Sequence, residues 1–164
     1  VPTVLLGSPS LPAKNAREFV ELARARPGTY TFASGSTGTS EHLAGEMLKF
    51  RTGIDISHVA YRSGLAAITS LFTDNVSVTF TNLANALSSI RSGQVKALGI
   101  ADQARSPIVP DVPTFAELGI PDFNVSVWWG LVGPAGMPRS LVTRINQELV
   151  ASLSTDEAGR GSSG

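Results

Sequence analysis

The chain has 164 residues, 42 % of them hydrophobic, and its thirteen basic and thirteen acidic side chains cancel to a formal net charge of zero. That size and apolar fraction fit one domain or slightly more with a real core, and exclude wholesale disorder. Neutrality without a Lys/Arg run excludes an electrostatic footprint for nucleic acid or a polybasic face for anionic lipid.

In chain order, Val1 to Leu6 is a short apolar run and reads as a strand, followed by a Gly/Ser/Pro-rich connection. Asn15 with Glu18 three residues later is a capping-box-like pair. Phe19, Val20, Leu22 and Ala23 follow as a helical stripe, stopped by Pro27-Gly28. Thr29 to Ala33 reads as a strand. After the polar run Ser34 to Ser40, the residues Leu43, Met47 and Phe50 recur at helical spacing up to Gly53. Ile54 to Val59 is a strand, Tyr61 to Gly64 a turn, Leu65 to Phe72 a helix and Val76 to Phe80 a strand. Asn82 to Ile90 is a helix ended near Gly93, and Val95 to Ile100 is a further strand. This alternation predicts an α/β fold with a mostly parallel sheet and flanking helices.

Beyond Ile100 the pattern changes. Ser106 to Pro113 holds three prolines, and Pro113 can open a short helix to Leu118. Val125 to Leu131 holds both tryptophans, Trp128 and Trp129, which read as core or interface anchors. Gly133 to Pro138 is a hard break. Leu141, Ile145, Leu149 and Leu153 then make an amphipathic helix with no strand after it. The Gly/Ser-rich tail from Gly159 is expected to be disordered.

In open α/β sheets, ligands bind in the loops beyond the carboxyl ends of the strands. Three such places are polar: Ser34 to Ser40, Tyr61 to Gly64, and Thr81-Asn82. In the first, Gly35 and Gly38 permit close backbone approach, and successive N–H groups leading into a helix start form an anion pocket. Ser36, Thr37, Thr39 and Ser40 add hydroxyls. With no Lys or Arg in the loop, an anion would be held by dipoles and hydrogen bonds. A plain βα loop capped by Thr39 or Ser40 fits the same residues. The run is neither a Walker loop nor a three-glycine dinucleotide fingerprint. Tyr61 offers a wall and a hydroxyl, Ser63 a turn; Thr81 and Asn82 fit helix capping equally well.

With no cysteine, disulfides, thiolate nucleophiles and Cys metal sites are excluded. His42 and His58 lack metal-motif spacing, so no metal and no cofactor is expected. A hydrolase using Ser40 and His42, oriented by Asp55 or Asp74, is disfavoured because residues two apart on a helix do not face each other and the Gly-x-Ser-x-Gly elbow is absent. His58 in an apolar strand reads as a satisfied core residue. No apolar run reaches the roughly 18 residues of a membrane span, and the first residues lack a signal-peptide pattern.

The run Tyr30 to Glu46, then His58 to Gly64, Phe80 to Ala86, Ile90 to Leu98, Arg105 to Pro107, Pro110 to Gly119 and Trp129 to Pro138 resembles, in fixed order, the tripartite tricarboxylate transporter receptors, the Bug family of extracytoplasmic solute-binding proteins. The resemblance implies a non-catalytic, periplasmic, two-lobed Venus-flytrap receptor that captures a small carboxylate and delivers it to membrane permease subunits. The carboxylate would be a di- or tricarboxylate, an acidic amino acid or an aromatic acid. It carries ligand contacts onto Ser34, Gly35, Ser36, Thr37, Gly38, Thr39, Ser40, His42, Tyr61, Ser63, Thr81 and Asn82. The family often has Asp at Thr81, Pro at Ala60 and Lys at Arg62. Family members are nearly twice as long. The expected organisation is therefore a ligand-binding second lobe over 6–123, a return segment and helix of the first lobe over 124–153, and a tail over 154–164. The apolar face of the last helix would then lack its partner and favour self-association.

Overall fold

The computed structural model describes residues 2–128 and 130–154. It divides into two compact units, Val1–Val127 and Trp128–Gly164. The expectations for Trp129 and for the tail from residue 155 lie outside the described residues.

The first unit runs β1 (Thr3–Gly7), α1 (Ala16–Ala25), β2 (Tyr30–Ser34), α2 (Ser40–Thr52), β3 (Ile56–Ala60), α3 (Gly64–Phe72), β4 (Val78–Asn82), α4 (Leu83–Arg91) and β5 (Lys96–Ile100). The sheet order is β3-β2-β4-β1-β5. Strand β2 pairs parallel with β3 and β4, whereas β1 pairs antiparallel with both β4 and β5. Four strands thus run one way, with β1 reversed between two of them. All five residues of β1 are buried, and a run buried on both faces carries no alternation that reveals direction.

Two cores sandwich the sheet. Leu5, Phe32, Val78 and Phe80 meet Phe19 of α1, Leu48 of α2 and the downstream Phe115 and Phe123. On the other face Val4, Leu6, Ala33 and Ile100 meet Ile68 and Leu71 of α3 and Leu83 of α4. Helix α1 starts as expected: Asn15 Oδ1 accepts from Glu18 N at 3.0 Å, and the Glu18 carboxylate accepts from Lys14 N at 2.8 Å.

Helix α2 differs from its sequence pattern. Leu43 and Phe50 are 60 % and 87 % exposed, and the buried face is Ala44, Gly45, Leu48 and Thr52. The reason is a close approach: a Cβ on Gly45 would overlap the ring edge of the fully buried Phe32. Ala44, Gly45 and Thr52 therefore face the sheet around Leu48, Leu43 and Phe50 turn outward, and Met47 stays half-buried against the core.

The helix expected after Pro113 is a single turn, with Leu118 N donating to Thr114 O. Thr114 and Glu117 cap it reciprocally, Glu117 N to Thr114 Oγ1 at 3.2 Å and Thr114 N to Glu117 Oε2 at 2.7 Å. Arg105 Nε reaches both Glu117 oxygens at 3.0 and 2.9 Å, which holds the Glu117 carboxyl down to about 2.

In the second unit α5 (Arg139–Leu153) follows Pro138, and none of its residues is buried. Leu141, Val142, Leu149, Val150 and Leu153 remain exposed. Among the described residues no helix is long and apolar enough to cross a membrane.

Candidate functional site

Strand β2 ends at the buried Ser34, and the chain turns through Gly35–Gly38 into α2. Gly38 takes φ 84°, a left-handed geometry that suits glycine. Thr39 is the helix cap: its Oγ1 accepts from His42 N at 3.4 Å and donates to Ser36 O at 2.9 Å. The loop is thereby closed on itself, which leaves the amides of Ser36, Thr37, Ser40 and Glu41 without protein partners among the described residues. Those of Ser40 and Glu41 are first-turn donors that a helix cannot satisfy internally, and those of Ser36 and Thr37 belong to the loop before the cap. The hydroxyls of Ser36, Thr37 and Ser40 stand beside them.

The second junction is fastened to the first. Tyr61 N donates to Ser34 O at 2.8 Å. Ser63 caps α3, accepting from Ala66 N at 3.2 Å. A Cβ at Gly35 would lie 2.6 Å from Gly64 N and 2.9 Å from the Ser63 carbonyl carbon. The missing side chain at Gly35 thus lets the N-termini of α2 and α3 converge, so two positive dipole ends share one surface. Glu41 is the opposing charge, its carboxylate 3.5 Å from the position a Gly64 Cβ would take.

The third place is not a loop. Thr81 and Asn82 close β4, and α4 begins at the next residue. Register places Thr81 beside Val4 and Asn82 beside Thr3, so their side chains lie on opposite faces of the sheet. Asn82 shares the face of Phe80, Phe32 and Ser34, whereas Thr81 is buried on the other. The Tyr61 ring packs with the Ala33 and Leu71 core, away from His58. Asn82 makes no capping bond. Its Oδ1 and the Oγ1 of Thr3 are buried without a hydrogen-bond partner, and such orphans at a loop edge call for an explanation. Thr3 has no signal in the sequence; only the antiparallel register of β1 brings it to this edge.

Two imidazoles sit behind the first loop. The His42 and His58 rings are 4.1 Å apart, and both pack on Phe32, at 6.2 and 4.9 Å between centroids. His42 Nδ1 accepts from Gly38 N at 3.1 Å, which assigns its proton to Nε2 when the ring is neutral. Ser34 Oγ has a single hydrogen and donates it to Ser36 O at 2.9 Å. His58 Nε2, 2.7 Å away, is then the donor to Ser34 Oγ. His58 is thus half-buried and hydrogen-bonded. No carboxylate among the described residues hydrogen-bonds either ring: Asp74, for one, is held by Ser10 at 2.6 Å.

Burial, and then the neighbouring His42, lower the pKa of His58 below its ordinary value of 6.5. The folded state therefore favours the neutral ring. That contribution is complete above the unfolded-state value and is lost as pH falls through the lower folded one. Imidazole nitrogen NMR should find His58 titrating below 6.5 and moving upward in H42A. A His58 midpoint at or above 6.5 in the unmodified chain would contradict this packing.

Fold and loop edge together define one lobe of a periplasmic-binding-protein-like receptor. The family model described as tripartite tricarboxylate transporter family receptor matches residues 1–157, and the chain belongs to that family. A Pseudomonas sp. strain P51 protein of the tcbD-tcbE intergenic region is 35 % identical over 150 residues, covering 91 % of this chain and 45 % of its own length. Among solved structures, MatC from Rhodopseudomonas palustris with bound malate is 30 % identical with TM-score 0.88, over 94 % of this chain and 53 % of that one. The R. palustris protein Rpa4515 with adipate is 29 % identical, TM-score 0.88, over 96 % and 52 %. The periplasmic binding protein BugD is 27 % identical, TM-score 0.91, over 99 % and 55 %. The chain spans about half the length of these relatives. The family is one of solute-binding receptors and not of enzymes, so the hydrolase reading of Ser40 and His42 falls away.

Proposed function

We propose that this chain supplies one wall of a binding site for a small carboxylate, within a periplasmic receptor that delivers its solute to membrane permease subunits. The observation that carries the reading is the contact of Gly35 with Ser63 and Gly64, which turns two helix N-termini toward one polar surface. Oriented amides and hydroxyls, in a loop Ser34–Ser40 that itself holds no Lys or Arg, suit a carboxylate held by hydrogen bonds and dipoles. The solved relatives with malate and adipate bound support the same ligand class.

In this reading Ser34, Gly35, Ser36, Thr37, Gly38, Thr39 and Ser40 form the primary cradle. His42 and Ser63 frame it, and Asn82 lies further along the same face. Tyr61 contributes its amide to the framework rather than its ring to the ligand, and Thr81 is a buried strand residue. Residues 6–123 act as the ligand lobe. Residues 124–153 act as a return segment and helix of the companion lobe, and the exposed apolar face of α5 is the surface they would bring to it.

Thermal unfolding with di- and tricarboxylates, acidic amino acids and aromatic acids tests the reading. At least one class should raise Tm progressively with concentration above its Kd. Stabilisation by none of them, in this chain and in a full two-lobed receptor carrying it, would overturn the proposal.

A further inference from the structure

A second cleft lies at the other end of α2. It encloses about 440 Å³ between one stripe of α1 (Arg17, Val20, Glu21, Arg24), the last turn of α2 and the Leu118–Pro121 turn. That volume falls in the range of small-molecule sites. In a chain with no net charge, three arginines line this one space, with a single acid, Glu21, beside them. The floor between them is apolar, formed by Val20, Leu118, Ile120 and Pro121.

The arginines are held in place but far from saturated. Arg24 gives Nε and one Nη2 hydrogen to Thr52 O, at 3.2 and 2.7 Å. Arg51 Nη2 reaches Asp122 O at 3.4 Å, and Arg17 Nε reaches Glu21 Oε1 at 3.2 Å. Each guanidinium has five N–H donors in a planar fork, so most donors of all three remain available. Three of the four bonds go to backbone carbonyls, so those contacts fix the Arg24 and Arg51 forks without neutralising their charge. Helix α2 is thirteen residues long, which separates this cleft from the Thr39 cap by roughly 20 Å. It is a different site from the loop edge, and it does not depend on the carboxylate reading made there.

We infer that this cleft binds a small amphipathic anion: a carboxylate whose head pairs with the arginine forks and whose short hydrocarbon or aromatic body lies on the Val20–Leu118–Ile120 floor. The head would engage Arg17 and Arg51 across the rim, where their free donors allow paired N–H contacts. The body distinguishes this ligand from a simple inorganic anion. Each methylene fully removed from water is worth about a factor of four in affinity.

The test is a titration of the 164-residue chain with hexanoate, acetate and inorganic phosphate at constant ionic strength, following the arginine Nε–Hε resonances by NMR. Hexanoate should shift the Arg17, Arg24 and Arg51 signals saturably and bind about tenfold tighter than acetate or phosphate. In R17Q, which removes only an exposed pair with Glu21, hexanoate affinity should fall several-fold while Tm stays unchanged. Equal affinities for all three probes would mean surface charge alone. Absence of saturation would mean that the arginines serve only to cover the carbonyl end of α2. Either result overturns the inference, and neither bears on the amides of Ser34–Ser40, which report the other site in the same spectra.

Discussion

Replacing Gly45 with alanine is expected to be the most damaging single-methyl change in the first unit. The added Cβ would overlap the edge of the Phe32 ring, which is itself fully buried between α2 and the sheet. Alanine favours a helix over glycine by about 1 kcal/mol, but overpacking a closed core typically costs about 1–3 kcal/mol and sometimes more. Here the ring cannot swing aside, because it also carries His42 and His58. The helix must lift instead, and that moves Thr39 and the loop it caps. Urea unfolding should show a stability loss of about 3 kcal/mol for G45A. The double variant F32L G45A should be more stable than the sum of the two single losses allows, because the smaller side chain makes room for the methyl. Additive losses would mean that the two residues are not in contact.

The second large effect is expected at Gly35, on binding rather than on stability. Its hypothetical Cβ meets backbone atoms, Gly64 N and the Ser63 carbonyl carbon, so no side-chain rotation relieves the clash. The φ of Gly35 is not left-handed, so the constraint is contact and not backbone strain. G35A should separate the N-termini of α2 and α3 and weaken carboxylate binding at least tenfold. Its stability cost should stay near 1–2 kcal/mol, because the loop is open to solvent. G38A is the matched control. Nothing lies within 4 Å of its Cβ, and φ 84° makes the substitution a matter of backbone strain, about 1 kcal/mol. Calorimetry on the two variants separates the explanations: G35A should lose affinity far beyond G38A. Equal losses would mean that the loop is merely sensitive to any stiffening.

Much of this architecture is legible in the residues. Asn15 and Glu18, the Pro27-Gly28 stop, and Gly53 at the end of α2 mark element ends through local chemistry, which acts in one dimension. The loop Ser34–Ser40 is legible for the same reason: its glycines and hydroxyls state what the backbone must do. Three features are illegible because they depend on partners distant in sequence. The reversed direction of β1 leaves no trace in a run buried on both faces. The outward turn of Leu43 and Phe50 follows from the close approach of Gly45 to Phe32, which overrides the apolar spacing that signals a core face. The split of Thr81 from Asn82, and the arrival of Thr3 beside Asn82, follow from strand register alone. Position along the chain points to a loop at Thr81-Asn82, whereas the sheet continues through both residues.

The central claim is that the converging starts of α2 and α3 form a carboxylate-binding surface. Residue-resolved amide NMR of the 164-residue chain, titrated with malate and with sodium chloride at matched ionic strength, tests it most directly. Saturable malate shifts are predicted at the amides of Ser36, Thr37, Ser40 and Glu41 and at Ser63–Gly64, absent with chloride and strongly weakened in G35A. Malate shifts that spare those amides, or that chloride reproduces, would contradict the account.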